Sequence, residues 1–111
     1  MTPPRLRRHA LRNVAAWEGR VARGPVVVLF GEGEGGVGYS VGRRIGNAVT
    51  RNLVRRRLRS AVRGARRGVP EGKCLVVARP GCETMAYEEL ARCVEECFEE
   101  LYDGHHRPRG T

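Results

Sequence analysis

The chain has 111 residues, a formal net charge of +9 and a sequence pI of about 10.6. That length supports one modest core, and that charge favours a phosphate-bearing partner. The longest apolar run, residues 26–30, is too short to cross a bilayer, and the arginine-studded opening lacks the apolar stretch of an export signal, so the expected location is the cytoplasm.

In chain order, residues 5–17 follow two prolines and place Leu6, Ala10, Leu11, Val14 and Trp17 at helical spacing, which predicts a short first helix. Residues 26–30 and 37–41 are rich in β-branched side chains and read as strands joined by a glycine-rich, hairpin-like loop. An arginine-rich helix follows over residues 47–65, closed by Gly64, Gly68 and Pro70. Residues 74–78 read as a buried strand ended by Pro80-Gly81. A last helix is expected over residues 84–102, with Leu90, Val94, Cys97, Phe98 and Leu101 on one face and glutamates largely outside it. The order αββαβα, with room for an extra short strand, predicts one α+β domain over residues 1–103 and a disordered tail over 104–111.

Charge divides the chain. Residues 1–72 carry 16 Arg against 4 Glu, a net of +12, whereas residues 73–111 carry a net of −3. Six arginines fall between Gly46 and Arg63, and residues 35–70 contain no Asp or Glu. At about 100° per residue, Asn52, Arg55, Arg56, Arg59 and Arg63 share roughly a third of the helix circumference. Val54, Leu58, Ala61, Val62 and Ala65 fill a neighbouring arc. A solvated basic helix ordinarily interleaves glutamates four residues away; this one does not, and its self-repulsion is relieved by a polyanion. The pattern points to nucleic acid.

Other motifs carry less. Gly31-Glu32-Gly33-Glu34-Gly35-Gly36 matches a dinucleotide fingerprint, but a strand rather than a helix follows it, and its two glutamates repel phosphate. Cys74, Cys82, Cys93 and Cys97 lack a C-x-x-C pair, so a zinc site is not expected and the helix cysteines read as small buried hydrophobes. No spacing among the serines, histidines and carboxylates suggests a catalytic constellation, and no catalytic or metal-binding residue is assigned to the polypeptide.

Val37-Gly38-Tyr39-Ser40-Val41-Gly42-Arg43-Arg44-Ile45-Gly46-Asn47-Ala48-Val49-Thr50-Arg51-Asn52, followed by Val54-Arg55-Arg56 and Arg59, resembles the signature of the bacterial ribonuclease P protein subunit. The similarity runs over nearly the whole chain, including Arg5-Leu6, Val77-Ala78-Arg79 and Tyr87-Glu88-Glu89. The resemblance implies an α-β sandwich with a left-handed βαβ crossover, against the usual rule. It also implies a protein cofactor, monomeric within the holoenzyme, for a catalytic RNA that removes the 5′ leader of precursor tRNA. Mg²⁺ would be held mainly by the RNA and substrate, with none bound stably by the protein.

Carried over residue by residue, the resemblance assigns Arg43, Arg44, Gly46, Asn47, Arg51, Asn52, Arg55, Arg56 and Arg59 to the RNA subunit, and Arg63 extends the same arc. Phe30, Tyr39 and Arg79 are the candidates for the leader. Two departures stand out: Leu53 replaces the last arginine of the family's Arg-Asn-Arg, and residues 11–15 lack the phenylalanines that usually help line a leader cleft. Two rival readings are a general RNA-binding or ribosome-associated protein and a self-sufficient nuclease using carboxylates and Mg²⁺.

Overall fold

The computed structural model describes residues 17–32, 36–69 and 72–105. The first helix expected over residues 5–17 lies outside them except for Trp17, as does the tail beyond residue 105. Four strands are present: β1 (Gly19–Arg23), β2 (Val26–Gly31), β3 (Gly36–Val41) and β4 (Lys73–Ala78). Two long helices accompany them, α1 (Ala48–Gly64) and α2 (Tyr87–Glu100). Short 3-10 turns occupy Arg43–Ile45 and Cys82–Thr84, and a wide π turn, Leu101–His105, follows α2. Its backbone continues past the point where the tail was expected to begin.

The sheet order is β1-β2-β4-β3. β1 and β2 form a tight antiparallel hairpin in which Arg23 pairs with Val26 across Gly24-Pro25. Gly24 takes φ +55° there, the left-handed value that a glycine accepts in the first central position of a two-residue turn. β2 pairs antiparallel with β4, and β4 pairs parallel with β3. The expected hairpin between β2 and β3 is therefore incorrect: β4 lies between them. The parallel β3 and β4 need a crossover, and α1 supplies it.

Hydrophobic pattern records strand position. β2 and β4, the two central strands, are almost continuously buried. β1 and β3, at the edges, alternate with exposed Arg20 and Ser40. Register places Val28, Val76 and Tyr39 in one row beneath the helices, with Phe30, Cys74 and Val37 in the next. Onto this face α1 presents Val54, Leu58, Ala61 and Val62, and α2 presents Leu90, Val94, Cys97 and Phe98. The two helices also pack against each other, α1 nearer β3 and α2 over β1 and β2.

The thiols belong to this core. Cys74, Cys82 and Cys97 are buried and Cys93 is half-buried, and all four are free. Burial is the largest influence on each and holds their protons, pushing Cys74 and Cys97 up to about 12 and Cys82 to about 11. Cys97 Sγ lies 3.9 Å from the Val26 carbonyl, and Cys82 Sγ lies 3.4 Å from that of Pro25. Both support the β1–β2 turn.

A candidate nucleic-acid interface

α1 begins where the sequence provides a cap. Asn47 is extended, and its Oδ1 accepts the Thr50 N–H at 2.9 Å, satisfying one of the four donors left open at a helix start. Immediately before it, Gly46 adopts φ +151° and ψ −159°, a region almost restricted to glycine. A Cβ there would sit 3.2 Å from Thr50 Cβ and Cγ2. The preceding turn, Arg43–Ile45, is pinned by buried Ile45, leaving Arg43 and Arg44 exposed beside the helix start. Local chemistry thus sets both basic elements against one another.

Along α1 the two arcs read from the sequence separate cleanly. Val54, Leu58, Ala61 and Val62 are buried, whereas Asn52, Arg56 and Arg63 are exposed and Arg55 and Arg59 half-exposed. Arg55 donates to Asn52 Oδ1 at 2.9 Å, joining two neighbouring groups of the exposed arc. The Arg59 guanidinium lies 5.6 Å from the centroid of the Tyr39 ring, a cation–π contact that limits its sweep. Burial, with Arg59 acting against it, pushes the Tyr39 phenol up to about 12, so it stays neutral in ordinary buffers. Arg51 lies at the edge of the core; its Nε is closed off from solvent and has no acceptor.

Among the described residues, no arginine of α1 forms an ion pair. The cations that do so are Arg23, Arg66 and Arg67. Six like charges on one helix, unanswered by carboxylates among the described residues, form a positive field open to anions. The sequence-derived RNA candidates Arg43, Arg44, Gly46, Asn47, Arg51, Asn52, Arg55, Arg56, Arg59 and Arg63 are therefore brought onto α1 and the turn leading into it.

The three leader candidates do not come together. Phe30 is buried in the core under the helices, because its place in β2 turns it to the same side as Val26 and Val28, so its ring cannot meet a base. Tyr39 lies on that side too, beneath Arg59. Arg79 is exposed just beyond β4, where its backbone N–H donates to the Pro25 carbonyl at 2.8 Å.

Sequence reasoning passed over the opposite sheet face. There Lys73 is only 7% exposed, and its ammonium stands 4.8 Å from the centroid of the Trp17 ring. The indole Nε1 is buried without an acceptor. Alternation from Cys74 would have placed Lys73 on that face, but nothing local brings Trp17 to it. Also missed was the contact of Ser60 Oγ with Tyr87 Oη, 2.9 Å apart, which ties the start of α2 to the exposed side of α1. Among the described residues, no three His, Cys, Asp or Glu side chains converge in a way that could hold a metal, and no helix is long and apolar enough to cross a membrane.

The family model for ribonuclease P matches residues 5–102. Among curated proteins, none matches the chain significantly. Solved structures share the fold. A ribonuclease P protein from Staphylococcus aureus, a mutant with defective mRNA degradation activity, superposes with a TM-score of 0.74 at 22% identity over 86% of this chain and 85% of its own. The ribonuclease P protein from Thermotoga maritima gives 0.73 at 23% identity over 86% and 96%. The same protein bound to a fluorophenyl thiourea gives 0.72 at 22% over 86% and 97%.

Proposed function

The chain belongs to the ribonuclease P family, and from that premise we propose that it serves as the protein subunit that binds the catalytic RNA and assists removal of the 5′ leader from precursor tRNA. The single observation that carries the RNA-binding part is the unpaired arginine face of α1. Arginine suits the task because its planar fork meets phosphate oxygens two at a time. Asn47 and Asn52 add groups that read 2′-hydroxyls and base edges. The polypeptide works without chemistry of its own, in the cytoplasm, as one copy per catalytic RNA. Mg²⁺ is assigned to the RNA and substrate.

The leader is assigned to the sheet face opposite the helices. Arg79 supports this reading, standing exposed just beyond β4, the strand whose Lys73 meets the Trp17 ring on that face. Phe30 has its ring inside the core and Lys73 is no more exposed than Phe30, so Arg79 is the accessible candidate of this face.

The test is precursor-tRNA cleavage at low Mg²⁺ by a bacterial ribonuclease P RNA with and without the protein. Cleavage at the mature 5′ end only when both are present is the expected result. Cleavage by the protein alone would reinstate the nuclease, and binding without stimulation would favour a general RNA-binding role. Glu88→Gln should leave holoenzyme cleavage unchanged. Arg55→Ala with Arg59→Ala should reduce the slope of log affinity against log salt by about 1.4 to 1.8, the contribution of two phosphates.

A further inference from the structure

We infer that Tyr87 is a stacking platform for an unpaired base at the border of the arginine face, so that the RNA partner presents a single-stranded nucleotide there. The inference rests on α1 being the RNA interface. Among the described residues, the large apolar side chains left exposed are Val49 at 77% and Tyr87 at 39%. Both lie beside the arginines. Val49, in the first turn of α1, is seven residues before Arg56 and falls about 20° from it on the helical wheel. Tyr87 comes from another element altogether and is brought to α1 by its hydroxyl, 2.9 Å from Ser60 Oγ.

Ser60 is four residues after Arg56 and three before Arg63, so these three side chains are surface neighbours. The Tyr87 ring is thus tethered at its hydroxyl beside two exposed cations. A fixed aromatic ring beside exposed guanidinium groups matches a nucleotide: phosphate on the arginines, base on the ring.

The charge on the far side of Tyr87 selects between base and phosphate. An open groove of about 500 Å³ continues from the ring and is lined by Ala91, Arg92 and four glutamates, among them Glu88 and Glu95. Phosphate is repelled from such a lining, whereas the neutral face of a base is not. The sign change therefore puts the sugar-phosphate chain on α1 and turns one base outward over Tyr87. A continuous duplex has no base free to make that contact.

The experiment measures binding of a bacterial ribonuclease P RNA to the full chain across a salt series, with Tyr87→Ala, Tyr87→Leu and Tyr87→Phe. Loss of one stacked base should weaken binding about 5- to 150-fold in the Ala and Leu variants, with an unchanged salt slope. Tyr87→Phe should stay within about twofold of the parent, since the ring persists. Leu preserves apolar bulk at the helix start, so it separates stacking from any loss of folding in the Ala variant. Parent-like affinity in Leu overturns the inference. So does a Phe variant as weak as Ala, which would assign the contact to the hydroxyl, and so does a lowered salt slope, which would make it a phosphate site. Arg55→Ala with Arg59→Ala, measured alongside, reports on the interface itself: if that pair leaves affinity and slope intact, the arginine face is not the RNA site and the larger reading fails independently.

Discussion

α1 and α2 lie side by side on the same sheet face, are similarly amphipathic, and treat their charges in opposite ways. On α2, four of the six glutamates are answered within the protein. Glu96 and Glu100 meet Arg23 at the end of β1, Glu95 meets Arg66 at 3.5 Å, and Glu89 accepts the Ala86 N–H that opens the helix. On α1, no arginine meets a carboxylate among the described residues. Charge density alone would class both helices as solvated surfaces. Internal pairing distinguishes them: most of α2's glutamates are matched inside the fold, whereas α1's arginines are left open and, on the function proposed above, available to the RNA.

The sharpest way to test that distinction uses two adjacent residues. Leu58→Ala, at a position with no exposure, should lower the unfolding free energy by about 2–5 kcal/mol in urea titrations. Arg59→Ala, next to it, should lower stability by at most about 1 kcal/mol, the worth of its cation–π contact, while weakening RNA binding and reducing the salt slope by about 0.7 to 0.9. Equal destabilisation by the two would make Arg59 scaffold and break the comparison.

The shared core below both helices should fail in alkali before either charged face does. An unfolded thiol ionises near 9, whereas Cys74, desolvated by burial, keeps its proton until about 12. The contribution is therefore fully present below pH 9 and is lost as pH rises through that window, because only the unfolded state gains from ionising there. Denaturation midpoints should be flat up to about pH 9 and then fall, and Cys74→Ala should flatten the fall.

Gly46→Ala should cost about 1–3 kcal/mol, because the alanine must either accept an unfavourable backbone angle or shift against Thr50. The loss should appear in thermal melts and should misplace Arg43 and Arg44, weakening RNA binding as well. Smallest of all, Glu96→Gln with Glu100→Gln should change stability by about 1 kcal/mol or less, since these pairs are half-exposed, and should leave RNA affinity unchanged. A large fall in RNA affinity would extend the interface beyond Tyr87 along the acidic helix.

Much of the site was legible in the sequence because it is local. A helix places residues three and four apart on one face regardless of the rest of the fold, so Asn52, Arg55, Arg56, Arg59 and Arg63 and the buried stripe beneath them could be read from spacing. The Asn47 cap fixed the start of α1 to within a residue of where it was expected. Strand order was not legible, because β2 and β3 are separated by four residues in sequence and by the whole of β4 in space. β1 escaped notice as a definite strand because, at an edge, only Val21 of its centre is fully buried while Arg20 and Arg23 remain polar. Phe30 was misassigned for a related reason: alternation puts it on one face of β2 but does not say which face the helices cover. Tyr87 is 27 residues from Ser60, so only the packing of α2 against α1 brings them together.

The position of β4 has a consequence for synthesis. The strand at the centre of the pairing, bonded on one side to β2 and on the other to β3, is the last of the four to leave the ribosome. Until residues 73–78 emerge, β2 and β3 flank an empty slot, and α1 has a buried stripe with no finished surface to cover. The arginine helix therefore exists as nascent chain, surrounded by ribosomal RNA, before the fold that orients it can close. A chain halted before β4 retains 16 of the 21 cationic side chains but lacks the strand that joins its sheet, and only completion of the sheet turns a sticky polycation into a shaped surface.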